Sequence, residues 1–253
     1  MFSKVYYSKV EPYELRDVSS RVSGLVLFID EDNIGKKLST KPYIRIDSLL
    51  DKSEFKAIEE KLIYQKEILN SNEKVLENLR KSLEKKRANY KRIEALKIKS
   101  SVEKDREFHD LVNSENIYLN TQKEINNLKI QVADLHFREM QLKRSIEDKS
   151  LDAEGFVLYS ILVKVGQVVG ISTPLAQVAD ISRAKLTIYL DEVDVLDVKS
   201  MDVYLDGEIS KYRVSRVLNI ADSKNISKYK AQIIIDAPKL FSKLVKIELK
   251  KKK

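Results

Sequence analysis

The sequence predicts a multidomain α+β fold: two short, similar β halves separated by a long helical hairpin and followed by further strands. Three observations carry this prediction. Between Pro42 and Gly155 there is neither glycine nor proline, so more than a hundred residues pass without the two strongest breakers of regular structure. Two apolar, glycine-spaced segments flank that stretch. Beyond Asp180 the pattern changes to short β-branched and alternating runs.

In chain order, Val5–Val10 is an alternating run and predicts a strand within an N-terminal segment of residues 1–17 that joins the later strands. Residues 18–50 form the first half: Val22-Ser23-Gly24-Leu25-Val26-Leu27, then Gly35, then Pro42 with Tyr43-Ile44-Arg45-Ile46 behind it. Residues 151–181 repeat that order: Ala153-Glu154-Gly155-Phe156-Val157-Leu158, then Gly166, then Pro174 with Leu175-Ala176-Gln177-Val178. Gly24 to Gly35 and Gly155 to Gly166 have the same spacing. The first glycine of each pair opens an apolar strand and the second suits a turn, where positive φ comes without steric cost. A pseudo-twofold β-sandwich follows.

Residues 51–150 show helical heptads. Phe55, Leu62, Leu69, Leu76, Leu83 and Tyr90 recur by sevens, with Ile58, Gln65, Asn72, Leu79, Lys86 and Ile93 as the second core position. Asp51 or Ser53 is the expected cap of the first helix. A second register runs through Leu111, Tyr118, Ile125, Val132 and Ile146, with Glu139 as its one break, partnered by Ser114, Thr121, Leu128, Leu135 and Leu142. The registers fall out of phase around a polar stretch with Ser100-Ser101, which places the reversal near residues 98–105. Each helix is then about 45 residues, roughly 70 Å at 1.5 Å per residue. One continuous helix would hold the two halves roughly 150 Å apart, so an antiparallel hairpin is the arrangement that lets them pair.

After the second half, Lys185–Leu190, Met201–Leu205, Tyr212–Ile220, Tyr229–Ile235 and Val245–Leu249 read as strands, with a short helix over Asp191–Leu196. Residues 182–249 suit a small β-barrel, and Lys250–Lys253 form a basic tail, either solvated or in contact with anionic lipid headgroups.

Composition excludes several functions. There is no cysteine, hence no disulfide framework, Cys-ligated metal or Cys nucleophile. The two histidines, His109 and His136, lie in the helical run without companion ligands, and no HExxH, P-loop or GxGxxG is present. No catalytic residue, cofactor or metal is expected. The net charge of +8 is mild, and acidic and basic residues alternate along the helices, which argues against a nucleic-acid partner. No apolar run is long enough to cross a bilayer as a helix, so any membrane anchor is expected outside this sequence.

The paired glycine segments resemble the two half-motifs of a lipoyl/biotinyl-like domain. Split by a coiled-coil hairpin and followed by strands, they resemble HlyD-type periplasmic adaptors, the membrane fusion proteins of efflux pumps and type I secretion systems. The resemblance spans about residues 18–235. It implies a β-barrel after the second half, a periplasmic location at the inner membrane, and a homo-oligomer (hexamer or trimer). It also implies an inner-membrane transporter of the ABC, RND or MFS type and a TolC-type outer-membrane channel as partners. In that family the hairpin tip often shows Arg, Leu four residues later and Ser seven after that. Arg92 and Leu96 match, and Glu103 stands at the Ser position. By the resemblance these three form the channel-binding tip, with altered contacts at Glu103, since an ionised carboxylate accepts hydrogen bonds without donating. The alternatives are a coiled-coil scaffold or a lipoyl-like carrier component without an export role. A carrier needs a modified lysine on a tight hairpin between the halves, and the helical insert occupies that place.

Overall fold

A computed structural model describes residues 4–221, 225 and 227–251. In order, β1 (Lys4–Lys9), β2 (Glu11–Ser19), β3 (Gly24–Ile29) and β4 (Ile44–Ile46) precede α1 (Leu49–Ala95) and α2 (Ser101–Asp148). There follow β5 (Ser150–Leu151), β6 (Val157–Ile161), β7 (Val168–Val169), β8 (Pro174–Leu190) and α3 (Glu192–Val195). Then come β9 (Asp202–Leu205), β10 (Glu208–Ile209), β11 (Val214–Ala221), β12 (Tyr229–Asp236) and β13 (Leu244–Lys250). The chain divides into a β unit, Met1–Asp47 with Asp148–Lys253, and a helical unit, Ser48–Glu147.

Within the β unit the two glycine-spaced segments pair with each other. β3 lies antiparallel to β7, and β4 to β5, giving the sheet order β5-β4-β3-β7. The turns are tied crosswise as well. The Gly35 N–H donates to the Leu158 carbonyl at 2.8 Å, and the Gly166 N–H to the Val26 carbonyl at 2.9 Å. Gly35, Gly155 and Gly166 have φ of 80°, 88° and 85°, the left-handed region that a side chain resists. The repeat is inexact. Gly155 lies in a turn, two residues before β6 begins, whereas Gly24 is itself the first residue of β3 and turns nothing. The four glycines are therefore three turn residues and one close approach: a Cβ at Gly24 would stand 2.6 Å from Ile46 Cγ2.

A core of Val26, Tyr43, Ile44, Ile46, Leu158 and Leu175 fills this region. Tyr43 is 1% exposed and its hydroxyl finds no hydrogen-bond partner among the described residues. Burial, followed by the nearby charge of Asp152, pushes its phenol up to about 12. A buried hydroxyl without a partner keeps its desolvation cost. Tyr43→Phe is therefore expected to leave the fold unchanged and to stabilise it by about 1 kcal/mol, read as a raised urea midpoint at unchanged m-value.

A second core holds Leu186, Ile188, Leu190, Ile233, Val203 and Ile247 between the sheet β1-β13-β9-β10 and the strands β11, β12 and β8. The boundary expected at residues 181 and 182 falls inside β8, a single 17-residue strand. Its first half gives Leu175, Ala176 and Val178 to one core, and its second half gives Ala184, Leu186, Ile188 and Leu190 to the other. β2 runs beside it from Glu11↔Lys185 to Ser19↔Pro174. The two runs that looked like separate strands are thus one ribbon shared by both cores. Beyond Glu11 the chain leaves β8 for the other sheet, and the freed Thr187 N–H is taken by the buried Ser8 Oγ at 2.8 Å, since a buried amide needs a partner.

In the helical unit every heptad core position named above is buried or half-buried, with Ile58, Leu62, Leu83, Ile125 and Leu142 the most enclosed. Cross-helix pairs fix the antiparallel register: Glu54–Arg138 at 2.7 Å, Glu73–Lys129 at 3.0 Å and Arg87–Glu115 at 2.7 Å. Gln65 lies in the seam with its side-chain carbonyl buried and without a hydrogen-bond partner among the described residues, and Lys86 reaches Asp110 at 3.7 Å. The first helix is not capped by Asp51 or Ser53. Ser48 stands at its N-cap, the Ser53 hydroxyl bonds back to the Leu49 carbonyl, and Asp51 accepts from Ser145 across the hairpin.

Candidate functional site

The three residues of the expected tip, Arg92, Leu96 and Glu103, lie at the turn between α1 and α2. α1 ends at Ala95 because Leu96 leaves helical geometry, with φ −79° and ψ 121° and its N–H on the Ile93 carbonyl at 3.1 Å. α2 begins at Ser101, so residues 96–100 make the connection. Lys104 Nζ reaches over the turn to the Glu94 carbonyl at 3.0 Å, occupying an acceptor that the ending helix leaves open.

Glu103 is engaged inside the chain. The Ser100 N–H donates to its carboxylate at 3.1 Å, and the Glu103 N–H points back to Ser100 Oγ at 3.3 Å. This reciprocal pair is a capping box, Ser100 at the N-cap and Glu103 three residues on. Lys99 completes it at 2.9 Å. The Lys99 hydrogen bond, with those from Ser100, brings the Glu103 carboxyl down to about 2. A depressed carboxylate pKa contributes stability that is complete above the ordinary value of 4.5 and fades as pH falls toward 2. Amide exchange over residues 100–104 is therefore expected to accelerate, relative to mid-hairpin amides, as pH drops from about 5 to about 2. Glu103→Gln should flatten that dependence. Ser100→Ala, which removes the other half of the box, should cost about 1 kcal/mol of local helix stability. The four-residue pattern Ser100-Ser101-Val102-Glu103 was the signal for this cap, and reading Glu103 only as the third member of a docking motif passed over it.

Arg92 lies in the last turn of α1, where a cation faces the negative end of the helix dipole. It is exposed and makes no ion pair among the described residues. Its planar fork is open to an external carboxylate or carbonyl. Leu96 is 45% exposed, and two residues that sequence reasoning did not select are barer still: Ile98 at 95% and Val102 at 75%. Behind them Tyr90 and Phe108 pack ring to ring across the hairpin at 5.8 Å, with His109 6.0 Å beyond, so the neck of the tip is an aromatic contact. His136 shares a hydrogen with Glu139 at 3.0 Å on the same helix.

At the other end of the sequence, Lys250 pairs with Glu248 at 2.9 Å and Lys251 with Asp197 at 2.9 Å. Lys252 and Lys253 lie outside the described residues. Among the described residues no helix is long and apolar enough to cross a membrane.

No protein-family model and no curated protein matches this sequence. Solved structures do. The membrane fusion protein Spr0693 from Streptococcus pneumoniae R6 is similar over 99% of this chain and 100% of its own, with a TM-score of 0.69 and 12% identity. MacA from Actinobacillus actinomycetemcomitans is similar over 98% of this chain and 78% of its own, at 0.64 and 18%. A putative efflux transporter from Bacteroides eggerthii covers 98% and 68%, at 0.54 and 14%. Nearly the whole of this chain is thus matched by solved structures at 12% to 18% sequence identity, and the chain has the fold of a membrane fusion protein.

Proposed function

We infer that this chain is the adaptor subunit of an export assembly, joining an inner-membrane transporter to an outer-membrane channel by oligomerisation and without catalysis. The observation that carries the reading is the hairpin: two helices of 47 and 48 residues, closed by a capped turn that presents Arg92, Leu96 and Ile98 to solvent. At 1.5 Å per residue it reaches roughly 70 Å, a length that serves for bridging. The fold shared with a membrane fusion protein and with MacA supports the same reading. In this view the core around Val26 and Leu158 is the lipoyl-like domain and the core around Leu186 and Ile247 is the β-barrel. Several copies, six or three, enclose a conduit in the periplasm at the inner membrane. Arg92 and Leu96 engage a TolC-type channel, and Glu103 holds the turn in shape. The transporter is of the ABC, RND or MFS type.

The test is site-specific photocrosslinking in cell envelopes of the native host. A photoreactive residue replaces Leu96, and a second protein carries it at Lys74, which is exposed midway along α1. An adduct with an outer-membrane channel protein from Leu96 and none from Lys74 is expected. Absence of an adduct from both sites, with the chain in the cytosolic fraction, overturns the reading and leaves a coiled-coil scaffold.

A further inference from the structure

The charge of the hairpin is segregated along its length. Residues 85–106, the tip and the turns behind it, hold nine Lys and Arg against three Asp and Glu. The rest of the two helices, residues 49–84 and 107–148, holds twelve basic and sixteen acidic side chains. A basic head therefore stands on a slightly acidic shaft. Part of the head is neutralised internally: Lys86 by Asp110, Arg87 by Glu115 and Lys99 by Glu103. Lys91, Arg92, Lys97 and Arg106 are exposed and make no ion pair among the described residues. Helix-forming sequences ordinarily intersperse opposite charges to support themselves, and a surplus gathered at one end creates self-repulsion that a partner of opposite sign would relieve.

The apex of this head is apolar. Ile98, 95% exposed, is the barest large apolar side chain among the described residues, and Val102, four residues on at the start of α2, is 75% exposed. Apolar groups of this size gain on removal from water, and here they crown the cationic collar. The collar extends back from the apex. Lys91 precedes the end of α1 by four residues and Arg106 follows the start of α2 by five, about 6 to 8 Å along the helices. A flat bilayer would meet the apex and leave much of the collar in water, whereas a concave surface reaches both. The end of one two-helix hairpin is also small beside the roughly 800 Å² per partner of a standard interface, so a single tip contact depends on steering and on multiple copies.

Resting on the adaptor reading above, we propose that the tip docks into an acidic, cup-shaped protein surface. Carboxylates of its wall meet Lys91, Arg92, Lys97 and Arg106, and an apolar floor receives Ile98 and Val102. Electrostatic complementarity of this kind governs encounter and orientation and weakens with salt, while the apolar floor sets how long the contact lasts.

The experiment uses the full chain with the photoreactive residue at Leu96, in envelopes of the native host at 50 and 500 mM salt, with adduct yield to the channel protein as the readout. For the wild type the yield is expected to fall about tenfold or more between the two salts. The quadruple reversal Lys91→Glu, Arg92→Glu, Lys97→Glu and Arg106→Glu should lose about tenfold at low salt and show little further salt dependence. Ile98→Ser should lower the yield at both salts while leaving their ratio unchanged. Circular dichroism at 222 nm verifies that each variant keeps its helices. An adduct that persists through charge reversal and high salt overturns the inference and leaves the adaptor reading intact. No wild-type adduct at either salt removes the adaptor reading and this inference with it. Purified chain floating with phosphatidylglycerol vesicles, lost on the same reversal, overturns the acidic protein cup in favour of an anionic lipid surface.

Discussion

Leu186→Ala is expected to lower the unfolding free energy by about 2–5 kcal/mol, the range for truncating a fully enclosed leucine. Leu186 is 0% exposed on β8, opposite Ile233, which is equally enclosed. Its neighbours on the same face, Ala184 and Ile188, are as fully enclosed, at 0% and 1% exposure. The surrounding strands are held by hydrogen-bonded ladders on both sides of the core and relax little, so the loss includes a cavity term beyond simple transfer. Urea denaturation read by intrinsic tyrosine fluorescence measures it. Leu15→Ala on β2 supplies the control: Leu15 is 49% exposed, and surface truncations of this kind fall within about 0.5 kcal/mol. Because β8 also supplies Leu175 and Val178 to the neighbouring core, amide protection at those residues should decline along with that at Ile188. Unchanged protection at Val178 would show that the shared strand does not couple the two cores.

What the sequence disclosed and what it concealed follow from the range of the interactions. The hairpin was legible because a 3.5-residue period is local: Phe55, Leu62 and Leu83 declare their face without reference to anything distant. A pseudo-twofold sandwich of two similar halves was inferable from a repeated glycine spacing, which is again a local pattern matched to itself, whereas the pairing of β3 with β7 was not. β8 was misread as two strands with a boundary between them because Asp180-Ile181-Ser182-Arg183 resembles a polar connector. Its extended path is imposed by β2 alongside, with Glu14 paired to Asp180, a contact across more than 160 residues that no window reveals. Gly24 looked like its counterpart Gly155 for the same reason: the spacing is equal, but the constraint at Gly24 comes from Ile46 on another strand. At the tip, Arg92 and Leu96 were selected by likeness to a motif. Ile98 and Val102 were overlooked because exposure of an apolar side chain is a property of the folded turn, and composition alone reads such residues as buried.

Gly24→Ala is expected to cost about 1–3 kcal/mol through overpacking alone. The added methyl would lie 2.6 Å from Ile46 Cγ2 and 3.5 Å from the Asp47 carbonyl. The first distance is shorter than carbon atoms tolerate, so something must move. Ile46 is 2% exposed on β4, paired with Val26 on one side of the ladder and packed in the core beneath. Gly24 is itself held to Val169 on β7. Neither backbone is free to shift, and the strain falls on a β-branched side chain with few rotamers to choose from. A double-mutant cycle separates this from the other glycine effects. In an Ile46→Ala background the clashing methyl is gone, and adding Ala at position 24 should cost less than about 0.5 kcal/mol, although Ile46→Ala is itself destabilising by about 2–5 kcal/mol. Gly166→Ala offers the contrast. Nothing lies within 4 Å of a Cβ there, and the φ of 85° alone makes alanine unfavourable, by about 1 kcal/mol. That cost should be the same whether position 46 is Ile or Ala. Equal costs of Gly24→Ala in both backgrounds would place the constraint at residue 24 in its backbone. A large coupling at 24, the double change costing less than the sum of the two single ones, and none at 166 would establish that Gly24 is retained for close packing and Gly166 for its turn.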